Sequence, residues 1–291
     1  MKTVTTATTA TAARKIKKAS LSGTLARAAA LSIVAALVIL PLLATFLGGF
    51  KTVGELRTSP FSIPAVWHGD FYARILGDGA FWRFLGNSLV ISLASVCLTL
   101  FCASMAAYVF AQIRFFGSKY LQSYLLLGMM FPFATAIVPL FLQVRDFGLL
   151  DNALGVILPQ TAFSMAFAIV LFRSFFRQLP KELFEAAHVD GCGYIGFFFR
   201  FTLPLSTPIL ATVGTFAFVQ SWNNYLLPLI ILNDRARYTW PLGIMQFRGE
   251  FLVEWNMILA FVSLTIAPAL IFFVITQKYI VAGLTRGSVK G

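Results

Sequence analysis

The chain has 291 residues, 58% hydrophobic and only 12% charged, with 31 phenylalanines and a formal net charge of +12. Soluble domains carry about 25% charged residues, so this composition excludes an ordinary water-soluble domain. Six segments contain no Asp, Glu, Lys or Arg and reach the roughly 20 apolar residues needed to cross a bilayer.

In chain order, residues 1–25 are rich in Thr and Ala, carry a basic cluster and no acid, and read as a disordered cytoplasmic tail. A signal peptide or an organelle presequence is the sharper alternative. The apolar run that follows is long for a signal sequence and lacks a clean cleavage site, so it is read as a retained span. Residues 26–291 then form an all-α integral membrane domain. Its six predicted transmembrane helices are Ala28–Phe50, Phe84–Ile113, Tyr120–Val144, Asn152–Phe172, Phe201–Asn233 and Trp255–Gln277. Pro41 in the first span and Pro132 and Pro139 in the third predict kinks. In the second, Asn87, Ser88, Ser92, Ser95 and Thr99 recur at helical spacing, a pattern of helix packing more than of a pore.

Charge placement sets the orientation. With a cytoplasmic N-terminus, 15 of the 23 basic residues lie inside, and 8 of the 11 acids lie outside. The positive-inside rule therefore places both termini in the cytoplasm. It also accounts for the net charge without nucleic acid, since the basic residues anchor topology and meet anionic lipid headgroups.

Chemistry is scarce at membrane depth. The spans hold no ionisable residue except at their ends, which argues against a proton relay, because such residues are expensive there and kept for function. No cluster of His, Asp, Glu or Cys suggests an embedded enzyme or a metal site. Cys97 and Cys102 fall in the second span and Cys192 outside the spans, with no disulfide implied. The chain lacks a G-x-x-x-x-G-K-[ST] phosphate loop, so no bound cofactor is expected and energy for active transport would come from another subunit. In the fifth span Gln220, Asn223 and Asn224 share one helical face, flanked by Trp222 and Tyr225. Such amides line a watery path, apt for sugars, or join helices by hydrogen bonds; both readings stand.

Between the fourth and fifth spans lies an insert, about 178–203, that includes "KELFEAAHVDG". Pro180 suits the first helical turn, Lys181, Glu182, Glu185, Ala186 and Ala187 favour a helix, and Gly191 suits a left-handed stop. A second short helix, about Tyr194–Phe201, is expected to end before Pro204. This helix-turn-helix on the cytoplasmic face carries Leu183, Phe184, Ala187, Tyr194, Ile195 and Phe197, too much apolar surface for a solvated linker. It either meets a partner or lies in the headgroup layer.

Here the residues resemble a known family. "EAAHVDG" followed by "LPLSTP" looks like the EAA loop of ABC importer permeases: Glu185, Ala186, Ala187, Asp190, Gly191, Leu203 and Pro204 match, while Phe201 stands where the family usually has Ile. "GNSLVIS", "AYVFAQIRFFG", "SWNNYLLPL" and "QKYIVAGLTRGSVKG" resemble the shorter, second permease subunit of maltose-type carbohydrate importers. The resemblance implies a type I ABC importer permease fold in a bacterial or archaeal inner membrane. It implies a homologous second permease subunit, two ATPase subunits that hold the ATP and Mg, and an extracytoplasmic solute-binding protein. It further implies that the EAA helix docks in a cleft of the ATPase, and that the segment after Tyr279 lies on that ATPase too. A permease for another small polar solute and a self-contained facilitator or channel are the alternatives.

Overall fold

The computed structural model describes residues 21–130, 132–249 and 252–288; for 21–24, 26 and 279–288 only the backbone is described. The tail expected over 1–25 therefore lies almost wholly outside the described residues, as do the side chains of the segment after Tyr279. The described chain is helical, with a lone antiparallel bridge between Arg248 and Val253 and no named strand among the described residues. In hydrocarbon a helix satisfies all its backbone groups within one segment, which is why an apolar chain of this length resolves into helices.

The chain divides into two units, Met1–Ala44 and Thr45–Gly291. The first contains most of α1 (Leu21–Gly48), whose stretch after Arg27 is predominantly apolar and carries Pro41 internally. A stretch of that kind is suited to lipid.

The second unit begins with α2 (Val53–Thr58) and α3 (Gly69–Gly77), which precede the long α4 (Gly79–Gln112). Lys51 organises the loop after α2. Its side chain is fully buried, and Nζ donates to the carbonyls of Ser59 at 2.7 Å and Pro60 at 3.4 Å and to Ser62 Oγ at 3.0 Å. Hydrogen bonds to a charged group are worth about 1.5–3 kcal/mol. Lys51→Met is accordingly expected to keep the bundle while exposing 59–62 to faster cleavage in limited proteolysis of the purified protein; an unchanged cleavage rate would refute this role of Lys51. Gly49 packs so closely that an added Cβ would lie 2.8 Å from Ala260 Cα, so the neighbouring backbone requires glycine there.

The centre of the unit is α4 packed along α7 (Ala153–Phe176), with α11 (Thr207–Trp222) against both and α14 (Trp255–Ser288) against α11. The interface uses small side chains. Ser88, Ser92, Ser95, Thr99, Ala103 and Ala107 of α4 are all buried, at three- and four-residue spacings that trace one stripe. Small residues let helix backbones approach where lipid supplies no hydrophobic drive. Of the series expected to pack, Ser88 and Ser92 are buried away from the cavity described below, while Ser95 and Thr99, also buried, border it.

The third and fifth spans are not single rods. The third is α5 (Ser118–Met130) and α6 (Phe133–Asp146), bent by 102°, with Pro132 capping α6 and Pro139 inside it. The fifth opens as a corner. Short helices α8 (Lys181–Val189), α9 (Tyr194–Phe197) and α10 (Leu203–Leu205) precede α11, and the axis of Tyr194–Leu205 meets that of α11 at 78°. At its other end α11 stops at Trp222, and α12 (Leu226–Ile231) and the single turn α13 (Trp240–Gly243) follow. Among the described residues, four helices are long and apolar enough to cross a membrane, or up to six spans if each bent pair counts as one.

Outside the spans, Asp151 adopts φ 51° and its carboxylate accepts the backbone N–H groups of Asn233 and Asp234. Those two donors hold its carboxyl below the ordinary carboxylate range. The clamp ties the α6–α7 connection to the end of α12.

Candidate coupling loop and solute cavity

The insert has a sharply defined turn. After α8, Gly191 takes φ +81°, its N–H bonds to the His188 carbonyl at 3.0 Å, and the Cys192 N–H bonds to the Ala187 carbonyl at 2.9 Å. This pair of bonds is the Schellman closure, which satisfies carbonyls that a helix end would leave bare. Pro180 caps α8 from just outside the first turn.

The second helix does not end before Pro204. It runs to Leu205 through a π turn at Phe198–Thr202, where the Leu203 N–H reaches back to the Phe198 carbonyl. A proline inside an α-helix loses one bond and clashes with the carbonyl four residues earlier. Widening the preceding turn gives the ring room, so the helix passes the proline and stops at Ser206 instead. Ser206 is buried, and its hydroxyl donates to the Thr202 carbonyl at 2.6 Å, bracing the corner.

The apolar side chains of the insert divide by direction. Ala187, Phe197 and Phe198 are buried and, with Leu183, Phe184, Phe201 and Leu203, join the core formed by α4 and α7. Phe197 meets Phe184 edge-on at 5.0 Å and stacks on Phe201 at 5.2 Å. Tyr108 of α4 donates its hydroxyl to the Tyr194 carbonyl at 3.0 Å. Much of the surface that the sequence offers to a partner therefore fastens the insert to its own bundle. What faces outward is Glu185, Ala186, Asp190 and Gly191, with Val189 at 86% exposure and Ile195 at 77%. Val189 lies on the helix face opposite Leu183, Phe184 and Ala187, so helical spacing already sets it apart from the inward residues.

The amide-rich stretch of the fifth span opens on a cavity of about 450 Å³ bordered by α4, α5, α6, α7 and α11. Gln220, Asn223, Asn224 and Tyr225 all line it. They do not form one helical face, because α11 ends at Trp222. Asn223 Nδ2 bonds back to the Val219 carbonyl at 2.9 Å, and Asn224 Oδ1 accepts the Leu227 N–H at 3.2 Å, capping α12. Trp222 points elsewhere. It is 1% exposed, stacks on Phe218 at 5.5 Å, and its indole N–H donates to the Thr265 carbonyl at 3.3 Å, fastening α11 to α14.

Gln160 of α7, not singled out by the sequence, lies at the centre of this wall. Its Oε1 accepts hydroxyls from Ser221 at 2.6 Å and Ser95 at 3.3 Å. It is the lone amide inside the charge-free run after Asn152, and that is the signal by which it could have been found. A second cavity of about 290 Å³ continues from the first, sharing Thr99, Ser164, Ala217 and Gln220. No group of three or more His, Cys, Asp or Glu able to hold a metal occurs among the described residues.

Comparison with known proteins agrees with this architecture. Residues 95–286 match the family described as binding-protein-dependent transport system inner membrane component. The chain is 35% identical to the probable ABC transporter permease protein YurM of Bacillus subtilis, over 86% of this chain and 83% of that one. It is 32% identical to the diacetylchitobiose uptake system permease protein NgcG of Streptomyces coelicolor, over 87% and 85%. The arabinooligosaccharides transport system permease protein AraQ of Halalkalibacterium halodurans is 34% identical, over 89% and 93%. Among solved structures, a chain of a bacterial ABC transporter that imports the acidic polysaccharide alginate superposes with a TM-score of 0.77 at 23% identity, covering 88% of this chain and 96% of that one. The chain thus belongs to the inner-membrane-component family of binding-protein-dependent transport systems, as a non-catalytic, multi-pass permease with the type I ABC importer fold.

Proposed function

We propose that this chain is one half of the translocation pathway of a carbohydrate importer, with both termini and the 178–203 insert in the cytoplasm. It pairs with a homologous permease, receives solute from an extracytoplasmic binding protein, and is driven by two ATPase subunits that hold ATP and Mg. The observation that carries this reading is the division of labour in the insert. Glu185, Ala186, Asp190 and Gly191 are presented outward on a closed turn, while Ala187 and Phe197 are anchored in the bundle. Such an element transmits a push instead of absorbing it, and a partner whose state changes with ATP would bias the spans between two arrangements. The positive-inside charge distribution supports the orientation. Relatives named for diacetylchitobiose and arabinooligosaccharides, and a cavity faced with amides and hydroxyls, support a sugar as the solute.

The test is chemical capture. Cysteine introduced by Ala186→Cys is expected to crosslink to the ATPase subunit in intact cells, and vanadate-sensitive ATPase activity is expected only when chain, ATPase and binding protein are purified together. Solute accumulation that proceeds normally while no crosslink to an ATPase ever forms would overturn the docking role and favour a self-contained facilitator.

A further inference from the structure

Among the described residues, two groups of the cavity wall are buried without a hydrogen-bond partner, the Thr99 hydroxyl and the Gln160 NH₂, and Gln160 is the one whose other edge is held by two further helices. The residue is only 7% exposed and borders the cavity. Its oxygen is occupied by two serine hydroxyls, Ser95 from α4 and Ser221 from α11, while its Nε2 is buried with no hydrogen-bond partner. Serine hydroxyls from two different helices hold the Oε1 edge of the amide, and the NH₂ group is left as the free edge. A buried donor left unmade is costly, and buried polar atoms are rarely left so without a role. Proteins tolerate that cost where a ligand later completes the bond.

The surroundings say what that ligand is. Ser95, Thr99, Ser164, Gln220, Asn223 and Tyr225 supply neutral hydroxyl and amide groups, and none of the described residues lining the cavity is charged. A carboxylated or sulfonated sugar would find no counter-charge on this wall, whereas a neutral polyhydroxylated one would find donors and acceptors at short range. We propose that Gln160 is a solute-binding residue, its Nε2–H donating to a hydroxyl oxygen of a neutral sugar held in the cavity between α4, α7 and α11. This rests on the reading of the cavity as part of the solute path.

The test uses the complete transporter, with its partner permease, ATPases and binding protein, in proteoliposomes. Diacetylchitobiose, arabinotriose and an acidic alginate trisaccharide serve as probes. The transporter is expected to accumulate a neutral probe; accumulation of the acidic one alone, or of none, overturns the proposal. For the accumulated sugar, Gln160→Met is expected to raise the transport KM about tenfold, the loss of one hydrogen bond, with kcat unchanged; the unfolding temperature is expected to fall as well, because Ser95 and Ser221 lose their acceptor. An amide that merely joins helices would lower the unfolding temperature and leave KM unchanged, and an unchanged KM overturns the proposal. With Cys97, Cys102 and Cys192 replaced by serine, the same sugar is expected to protect Gln160→Cys and Gln220→Cys variants from a methanethiosulfonate reagent. Protection at Gln220→Cys without protection at Gln160→Cys overturns the role of Gln160 and leaves the cavity's role standing. Protection at neither removes the cavity from the solute path altogether.

Discussion

Gly191→Val is expected to abolish solute uptake while membrane insertion proceeds normally, and Gly191→Asn to retain most of it. The two side chains are of similar bulk, so the contrast isolates the backbone. Gly191 sits at φ +81°, and an added Cβ would meet nothing within 4 Å. Crowding by neighbours therefore contributes nothing, and the whole penalty lies in the chain itself. A left-handed conformation costs an ordinary L-residue about 1–2 kcal/mol and is a genuine outlier for a β-branched one, whereas Asn is several-fold enriched there.

To escape that strain the valine variant must give up the bonds from Gly191 N–H to His188 and from Cys192 N–H to Ala187 that close the turn. The end of α8 then frays, and the relation between Glu185, Asp190 and the following helix is lost. The measurement is uptake by intact cells, paired with the amount of ATPase that co-purifies. Both are expected to fall together in the valine variant and to be largely restored in the asparagine variant. Equal uptake by the two would show that the positive φ is unimportant to coupling.

The elements that could be read from sequence alone are those specified by local chemistry. Charge-free runs mark the spans because burying a charge in hydrocarbon is penalised wherever it occurs along the helix. The turn at Gly191 is legible for the same local reason, since few residues tolerate its conformation. The breaks are less legible. Helix periodicity carries Asn223 and Asn224 onward from Gln220, yet α11 stops at Trp222 because Asn224 spends its side chain capping α12. The direction of Trp222 could not be foreseen either, since it depends on Phe218 and on the Thr265 carbonyl of a helix more than forty residues later. Pro204 misleads in the opposite sense. Its local rule predicts a stop, and the π turn at Phe198–Thr202, buried at Phe198 and Thr202, lets the helix continue. Gln160 shows the limit for sites: its isolation in an apolar run hints at importance, but only the fold brings Ser95 and Ser221 to its oxygen.

Truncation of the anchor is expected to separate hydrolysis from transport. Phe197 is 1% exposed, edge-on to Phe184 at 5.0 Å and stacked on Phe201 at 5.2 Å, within the same core as Phe172, Phe176 and Ala187. Deleting a buried phenylalanine ring costs about 3–5 kcal/mol, part of it from the cavity left behind. Here the loss falls on the joint between α8 and the α4–α7 pair. The outward residues Glu185 and Ala186 are untouched by Phe197→Ala, and the Gly191 turn closes through backbone bonds that do not involve the ring. The ATPase should therefore still bind. A joint weakened by even half of that amount is loosened more than tenfold, so closure of the ATPase moves α8 without moving the spans. In proteoliposomes the variant is expected to hydrolyse ATP at a rate comparable to wild type while solute transported per ATP falls at least tenfold. This outcome is the reverse of that for Gly191→Val, in which docking and hydrolysis are lost together. An unchanged ratio of transport to hydrolysis would mean that the push enters the bundle by another route, such as the contacts of Tyr108 on α4 with the Tyr194 carbonyl and the Phe198 ring.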